Sequence, residues 1–464
     1  MFDKSTYIQR RQTLRNNVGT GLILFLGNDE CGMSYEDNTY PFRQDSSFLY
    51  YFGSDYAGLA AIIDIEEDRE IIFGNELTLD DIVWMGTQPT ISEKSSLVGI
   101  HDTRPMSDLK PYLAKAIVSV RTIHFPPPYR AAHKLWIMDL LGIAPEQQSQ
   151  RASLSLIKSI VNQRIHKLEE EIREIESAVD ISVDMHCTAI RTVRPGIRES
   201  VVSAALEEVA YSQCYTLSFP TIATINGQTL HNHRHDNILR DGRMFLVDAG
   251  AESPKHYAGD LTSTMPVGDR FTDRQELIYN INVEMFRTAV HALRPGIPYR
   301  DVHFMAATTM VEGLKEIGLM KGNTADAVSS GAYAMFFVHG LGHMIGLDVH
   351  DMENLGEIHV GYLGGESKDP RFGMKSIRLA RPLEPGFCFT VEPGIYFIPE
   401  LIDKWRAEKM HTDFINYEML EKWKDLGGIR NEMDFTITAD GARRLGSKIK
   451  PLTLEEVLNV KSSK

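Results

Sequence analysis

Several separated segments of this chain set acidic or imidazole side chains beside short, strand-like apolar runs. MFLVDAG (244–250) delivers Asp248 at the end of such a run, and Asp260, twelve residues later in HYAGDLTSTMPVG, opens another. FFVHGLGHMIGLDVHD (336–351) supplies His339, His343 and His350, CFTVEPGIYF (388–397) supplies Glu392, and GGIRNEMDFTIT (427–438) supplies Glu432. Two divalent ions held side by side need several oxygen donors, some of them shared, because shared carboxylates offset the repulsion between the cations. Asp248, Asp260, Glu392 and Glu432 bring four negative charges and His343 one neutral nitrogen, so two M²⁺ ions with one hydroxide come close to neutrality. A set rich in oxygen favours Mn²⁺ or a similar ion over a thiolate-type zinc site, with Co²⁺ or Zn²⁺ as alternatives. Paired ions of this kind acidify water and polarise a carbonyl. Each residue alone has a plainer reading. An Asp at a strand end is usually a turn former, a lone His is more often a satisfied core residue, and the glycines of HGLGH can simply allow tight packing. The joint occurrence, an Asp pair, HGLGH, VEPG and RNE in that order, carries the metal reading.

These residues need a frame. A chain of 464 residues exceeds one ordinary core, so two domains are expected. Between residues 19 and 75 the runs GLILFLG, SFLYYFG, AGLAAIIDI and REIIFG, separated by Gly, Asn and Asp turns, predict buried strands. Helices are predicted around 107–119 and 131–141, which makes the first part mixed α/β. From Lys167 to Thr192, the apolar residues Ile172, Ile175, Val179 and Val183 recur at helical spacing. The boundary therefore falls near 155–165, giving domains 1–160 and 161–464. TAIRTVRPGIRE (188–199) is echoed one hundred positions later by TAVHALRPGIPY (288–299). Each copy reads as helix, Arg-Pro-Gly turn, helix, and strands follow both. The repeat predicts two similar α/β halves enclosing a central site.

Composition narrows the partners. The formal net charge of −14 repels phosphate backbones, and no basic run reverses it locally, which excludes nucleic acid. Four cysteines, with no CxxC pair, argue against a disulfide framework and suit a reducing compartment. The polar start MFDKSTYIQRRQTLRNN is no signal peptide, and no apolar run spans a bilayer, so a cytoplasmic protein is expected.

The second part resembles the pita-bread metallopeptidases, which include proline-specific aminopeptidases, prolidases and methionine aminopeptidases. The resemblance implies an Asp, Asp, His, Glu, Glu set for two metals, which falls here on Asp248, Asp260, His343, Glu392 and Glu432. The proline-specific branch adds three histidines, matched by His231 in GQTLHNH, His339 and His350, with roles in lining the pocket, holding the substrate carbonyl and stabilising the tetrahedral intermediate. Glu392 would move the proton to the proline nitrogen, and Arg430 would be the supporting arginine. YPFRQDSSFLYYFG (40–53) looks like the N-terminal domain of creatinase, aminopeptidase P and prolidase. Methionine aminopeptidases lack that domain, and creatinase lacks the metal ligands. The implied fold is thus a small N-terminal α/β domain followed by a pita-bread catalytic domain with two pseudo-symmetric halves. The implied activity is hydrolysis of the Xaa-Pro bond in small peptides, by an enzyme that is a homodimer or larger. Arg378, in SIRLARPLEPG, and the long stretch around FINYEMLEKWKD lean toward a dipeptidase, since an arginine there would meet the carboxylate of a dipeptide. The alternatives are an aminopeptidase acting on longer peptides and, more remotely, a non-catalytic pita-bread binding scaffold. Asn431 departs from the family's apolar residue between Arg430 and Glu432, and strand alternation should point it away from the metals.

Overall fold

The computed structural model describes residues 1–364 and 366–463. Its chain divides into two compact units, Met1–Arg164 with Met352–His359, and Ile165–Asp351 with Val360–Lys464. The return of Met352–His359 to the first unit has no signature in the sequence.

In the first unit, β1 (Leu22–Leu26), β2 (Ala60–Asp64), β3 (Arg69–Phe73), β4 (Asp102–Arg104) and β5 (Ile123–His124) form one sheet in the order β4-β3-β2-β1-β5. β1 and β2 are buried along their whole length, which is why their sequences read as unbroken apolar runs rather than alternating ones. The predicted helices form at Leu109–Val118 and Ala131–Leu141, and their residues Leu113 and Ile137 join Leu24, Ile62 and Phe73 in one core. SFLYYFG does not form the strand expected of it. Ser46–Phe52 is a helix in which the Asp45 carboxylate accepts a hydrogen bond from the Phe48 amide and Gly53 closes the end at φ 59°. All seven residues are buried, so the run carried no periodicity; the caps were the informative signal.

The second unit is built twice over. The first copy pairs the helices Glu169–Thr192 and Glu199–Tyr211, and the second pairs Asp273–Ala292 with Tyr299–Glu316. Ile172, Ile175, Val179 and Val183 are all buried, as the helical spacing requires. Between the helices of each pair, the glycine of the Arg-Pro-Gly turn takes a positive φ, 89° at Gly196 and 83° at Gly296. Both turns dock alike. Gly196 N donates to Leu239 O (2.9 Å) and Leu239 N to Ile197 O (2.8 Å), while Gly296 N donates to Leu383 O (2.8 Å) and Leu383 N to Ile297 O (2.9 Å). Nine residues beyond those leucines stand Asp248 and Glu392.

The strands follow the same plan. β6 (Thr216–Leu217), β7 (Ile222–Thr224), β8 (Met244–Ala249), β9 (Ala251–Glu252) and β10 (Leu261–Pro266) belong to the first half. The second half holds β11 (Cys388–Val391), β12 (Gly394–Tyr396), β13 (Gly428–Arg430), β14 (Met433–Ile437) and β15 (Ala442–Arg444). The sheets run β10-β8-β7 in one half and β11-β14-β15 in the other, so each pairs two acid-bearing strands antiparallel.

Candidate metal centre

Asp248 lies near the end of β8, and Asp260 immediately precedes β10. The antiparallel register sets Thr262 opposite Asp248. Glu392 directly follows β11, and Glu432 stands between β13 and β14. The HGLGH segment is laid along β11: the Thr390 amide donates to His343 O (2.9 Å), and the Glu392 amide to Leu341 O (2.8 Å). This contact explains one glycine, because a Cβ on Gly342 would come within 2.0 Å of Thr390 O.

Two distances define the centre. His343 Nε2 is 3.4 Å from Asp260 Oδ2 and 3.6 Å from Glu392 Oε1. Ligand atoms of Asp260, His343 and Glu432 all lie within 4.8 Å of one another, a span that one cation can bridge. Asp248 is gripped by Arg430 through Oδ2, while its Oδ1 is buried with no hydrogen-bond partner among the described residues. Arg430 also donates to the Tyr396 hydroxyl (2.7 Å) and to Thr262 Oγ1 (3.1 Å), and Thr262 in turn donates to Glu432 Oε2 (2.6 Å).

Electrostatics asks for cations here. Burial pushes the Asp260 and Glu432 carboxyls well above the usual carboxylate range, and neighbouring carboxylates push them further. Burial also raises Glu392, against the pull of His343 and Arg430. Carboxylates crowded out of water are costly unless positive charge joins them. Among hard donors with one imidazole, divalent metal supplies that charge. The orphan Oδ1 of Asp248 and the converging donors of Asp260, His343 and Glu432 fit such ions.

The remaining predicted residues close the site. Burial pushes the His339 imidazole down to about 3; its Nε2 meets the Tyr396 hydroxyl at 2.8 Å, and its Nδ1 meets Gly340 O at 2.7 Å. His350 stacks on His343 with ring centroids 3.8 Å apart. Burial, then the charge of Arg430, lowers the pKa of His231. A cavity of about 410 Å³ is lined by all ten sequence-predicted residues: Asp248, Asp260, His343, Glu392, Glu432, His231, His339, His350, Arg378 and Arg430. Phe219, Ile222, Leu230 and Val338 give it an apolar wall. Asn431 turns away from it, with its amide nitrogen 2.9 Å from Asn282 Oδ1.

Sequence reasoning missed Thr262, Asp434 and Tyr396. Thr262 and Asp434 stand two residues beyond Asp260 and Glu432, and side chains at i and i+2 of a strand share a face, so their positions were inferable. The Asp260 amide donates to Asp434 Oδ2 (2.9 Å), which ties the start of β10 in one half to β14 in the other. Tyr396 reaches Arg430 because β12 pairs with β13, a long-range register that no local pattern announces.

A buried, carboxylate-lined centre between two like halves defines a metallohydrolase. Residues 173–439 match metallopeptidase family M24, and residues 7–124 match the aminopeptidase P N-terminal domain; the chain belongs to family M24. A probable Xaa-Pro aminopeptidase of Metarhizium acridum is 28% identical over 95% of this chain and 91% of its own length. The Xaa-Pro dipeptidase of Rattus norvegicus is 29% identical over 96% and 90% respectively. The low-pH form of Escherichia coli aminopeptidase P superposes with a TM-score of 0.82 at 26% identity, covering 99% of this chain and 98% of that one.

Proposed function

We propose that this metallopeptidase hydrolyses the peptide bond ahead of proline in short peptides, acting first on Xaa-Pro dipeptides. The five residues Asp248, Asp260, His343, Glu392 and Glu432 would hold two divalent ions, Mn²⁺ in preference to Co²⁺ or Zn²⁺. When bound, such ions supply an acidified water and polarise the scissile carbonyl. His350 donates a hydrogen bond toward the carbonyl oxygen as charge develops there, and the stack on His343 presets its ring. Glu392, adjacent to His339 and His343, carries the proton from water to the proline nitrogen. His231 and His339 line the substrate's path. Arg430 fixes Asp248 and Tyr396 rather than touching substrate.

The observation favouring a dipeptidase is Arg378, which lines the cavity with Ser376 and whose charge reaches Glu392. A guanidinium there can grip the carboxylate that ends an Xaa-Pro dipeptide with two charge-assisted hydrogen bonds. The relatives' names support both this reading and that of an aminopeptidase for longer peptides. A binding scaffold without catalysis is disfavoured by the intact donor set. Four free cysteines suit a reducing, cytoplasmic setting, and no helix among the described residues is long and apolar enough to cross a membrane. We expect a homodimer or larger assembly.

The test compares Ala-Pro with an Ala-Pro-Xaa tripeptide after metal-stripped protein is reloaded with Mn²⁺. Faster cleavage of Ala-Pro is expected. Faster cleavage of the tripeptide would make the enzyme an aminopeptidase, and cleavage of neither would end the Xaa-Pro reading.

A further inference from the structure

The chain enters the second unit at Ile165 and leaves it at Asp351, one residue after His350. Inside that unit, Lys167 Nζ and Asp351 Oδ2 meet at 2.7 Å, with both side chains only 1% exposed. The pair therefore lies, within the second unit, next to two of the three points at which the chain passes from one unit to the other. It is also knitted into the segments that carry the site. The Lys167 amide donates to Gly386 O (2.9 Å), in the turn that starts the strand leading to Glu392. The Asp351 amide donates to Met344 O (2.9 Å), closing the loop that begins beside His343, and Asp351 Oδ1 accepts from the Asp348 amide (3.3 Å). Gly346 fits beneath, since a Cβ there would come within 2.6 Å of Asp351 Oδ2 and 2.9 Å of Lys167 Cε.

From His343 to Gly346 the loop is pinned to β11, where Ile345 N donates to Cys388 O (3.0 Å), and Gly346 O accepts from the Ala258 amide (2.9 Å). From Leu347 to His350 neither helix nor strand holds it. A ring stacked at 3.8 Å needs its backbone fixed within a few tenths of an ångström. A surface ion pair would do little for this, but a desolvated one is strong, directional and costly to break. We propose that Lys167 and Asp351 are positioning residues: their buried pair locks the loop so that the His350 ring stays stacked on His343 and aimed into the cavity. The proposal rests on His350 acting in Xaa-Pro hydrolysis, although the ring position itself can be read without substrate.

The experiment uses Lys167→Met, Asp351→Asn and the double variant Lys167→Met/Asp351→Leu. The double removes both charges of the pair at once, so it should fold even where a single does not. Thermal unfolding, kcat and KM on Ala-Pro, and the ring signals of ¹³C-labelled histidines in zinc-loaded protein are measured, with His350 assigned by its Ala variant. Each single change should lower kcat about 10- to 100-fold, the range for a lost supporting contact, with KM little altered. The double should regain thermal stability while kcat stays low and the ring-current shift of His350 is lost. Recovery of wild-type kcat and ring shift in the double would overturn the proposal, because packing alone would then suffice. Wild-type kcat in the singles, or failure of all three variants to fold, would overturn it equally. A wild type that cleaves no Xaa-Pro bond would sink the functional reading while the ring shifts still decide the positioning role.

Discussion

The two halves of the catalytic unit share a frame and differ in chemistry. Both dock an Arg-Pro-Gly turn on a leucine and carry an acid nine residues further on. The first half contributes the short acids Asp248 and Asp260, while the second contributes Glu392, Glu432, His343 and the arginine that grips Asp248. Symmetry thus brings four carboxylates face to face, and the departures from symmetry make the site directional. Asp248 is gripped by the arginine directly, whereas Glu432 is held by the neutral Thr262 hydroxyl (2.6 Å) and the His343 ring by Met344 O (3.0 Å).

The largest effect is expected where both halves meet. Glu432→Gln removes a charge from one side, Asp260→Asn from the other, and each should abolish turnover with the fold mostly intact. Metal analysis decides it: wild type holding no more divalent ion than either variant would remove the metal centre. An asymmetric change comes next. His350 comes from the second half, and His350→Ala should lower kcat by about 10²–10³, as for the loss of one oxyanion donor. A rise in KM alone would show that His350 binds substrate and transition state alike. Arg378 also belongs to the second half only. Arg378→Ala should cost Ala-Pro about 2–4 kcal/mol in kcat/KM, the range for an unpaired buried charge, and the tripeptide much less. Equal losses on both substrates would leave Arg378 a structural role and favour the aminopeptidase.

Metal removal tests the shared carboxylates through pH. Asp260, Glu392 and Glu432 have folded-state values above their unfolded ones, so without metal they stabilise at low pH and lose that contribution as pH rises through the raised values. Divalent ions bind the deprotonated forms, so their stabilisation grows over the same interval. The gap in Tm between metal-loaded and metal-stripped protein should therefore widen as pH rises above the ordinary carboxylate range. His186 and His303, held by burial near 3, stay neutral when folded and cost stability as pH falls below the ordinary histidine range. They do so in both forms and drop out of the difference. A constant gap would contradict the carboxylate account.

What the sequence disclosed follows from how local each signal is. The acids and HGLGH were legible jointly, through the order Asp pair, HGLGH, VEPG and RNE beside apolar strands; of the two glycines, Gly342 lies against β11 and Gly340 against Ser376. The helical faces of the second unit showed in residues such as Ile175 and Val179. Ser46–Phe52 misled because a fully buried helix and a fully buried strand are both continuously apolar. The Lys167–Asp351 pair and the Tyr396–Arg430 contact stayed hidden because they join residues far apart in the chain.

The smallest effect probes the symmetry itself. Gly196 and Gly296 hold equivalent turns at φ 89° and 83°, and a Cβ at either would meet no heavy atom within 4 Å. Replacement by Ala therefore creates no clash, and both amide hydrogen bonds, to Leu239 O and Leu383 O, survive. What remains is the intrinsic cost of left-handed backbone for a residue with a Cβ, about 1–2 kcal/mol. Gly196→Ala and Gly296→Ala should each lower stability by that amount, and by nearly the same amount as one another. Chemical denaturation with unchanged slope measures it, because a changed slope would mean an altered native or denatured ensemble rather than a strained turn. Neither change should touch kcat, since both turns lie outside the cavity lining. If one variant lost stability and the other did not, the turns would be alike in sequence and geometry but not in what they support. The two halves would then be equivalent only in outline, with the whole unit's stability resting on one of them.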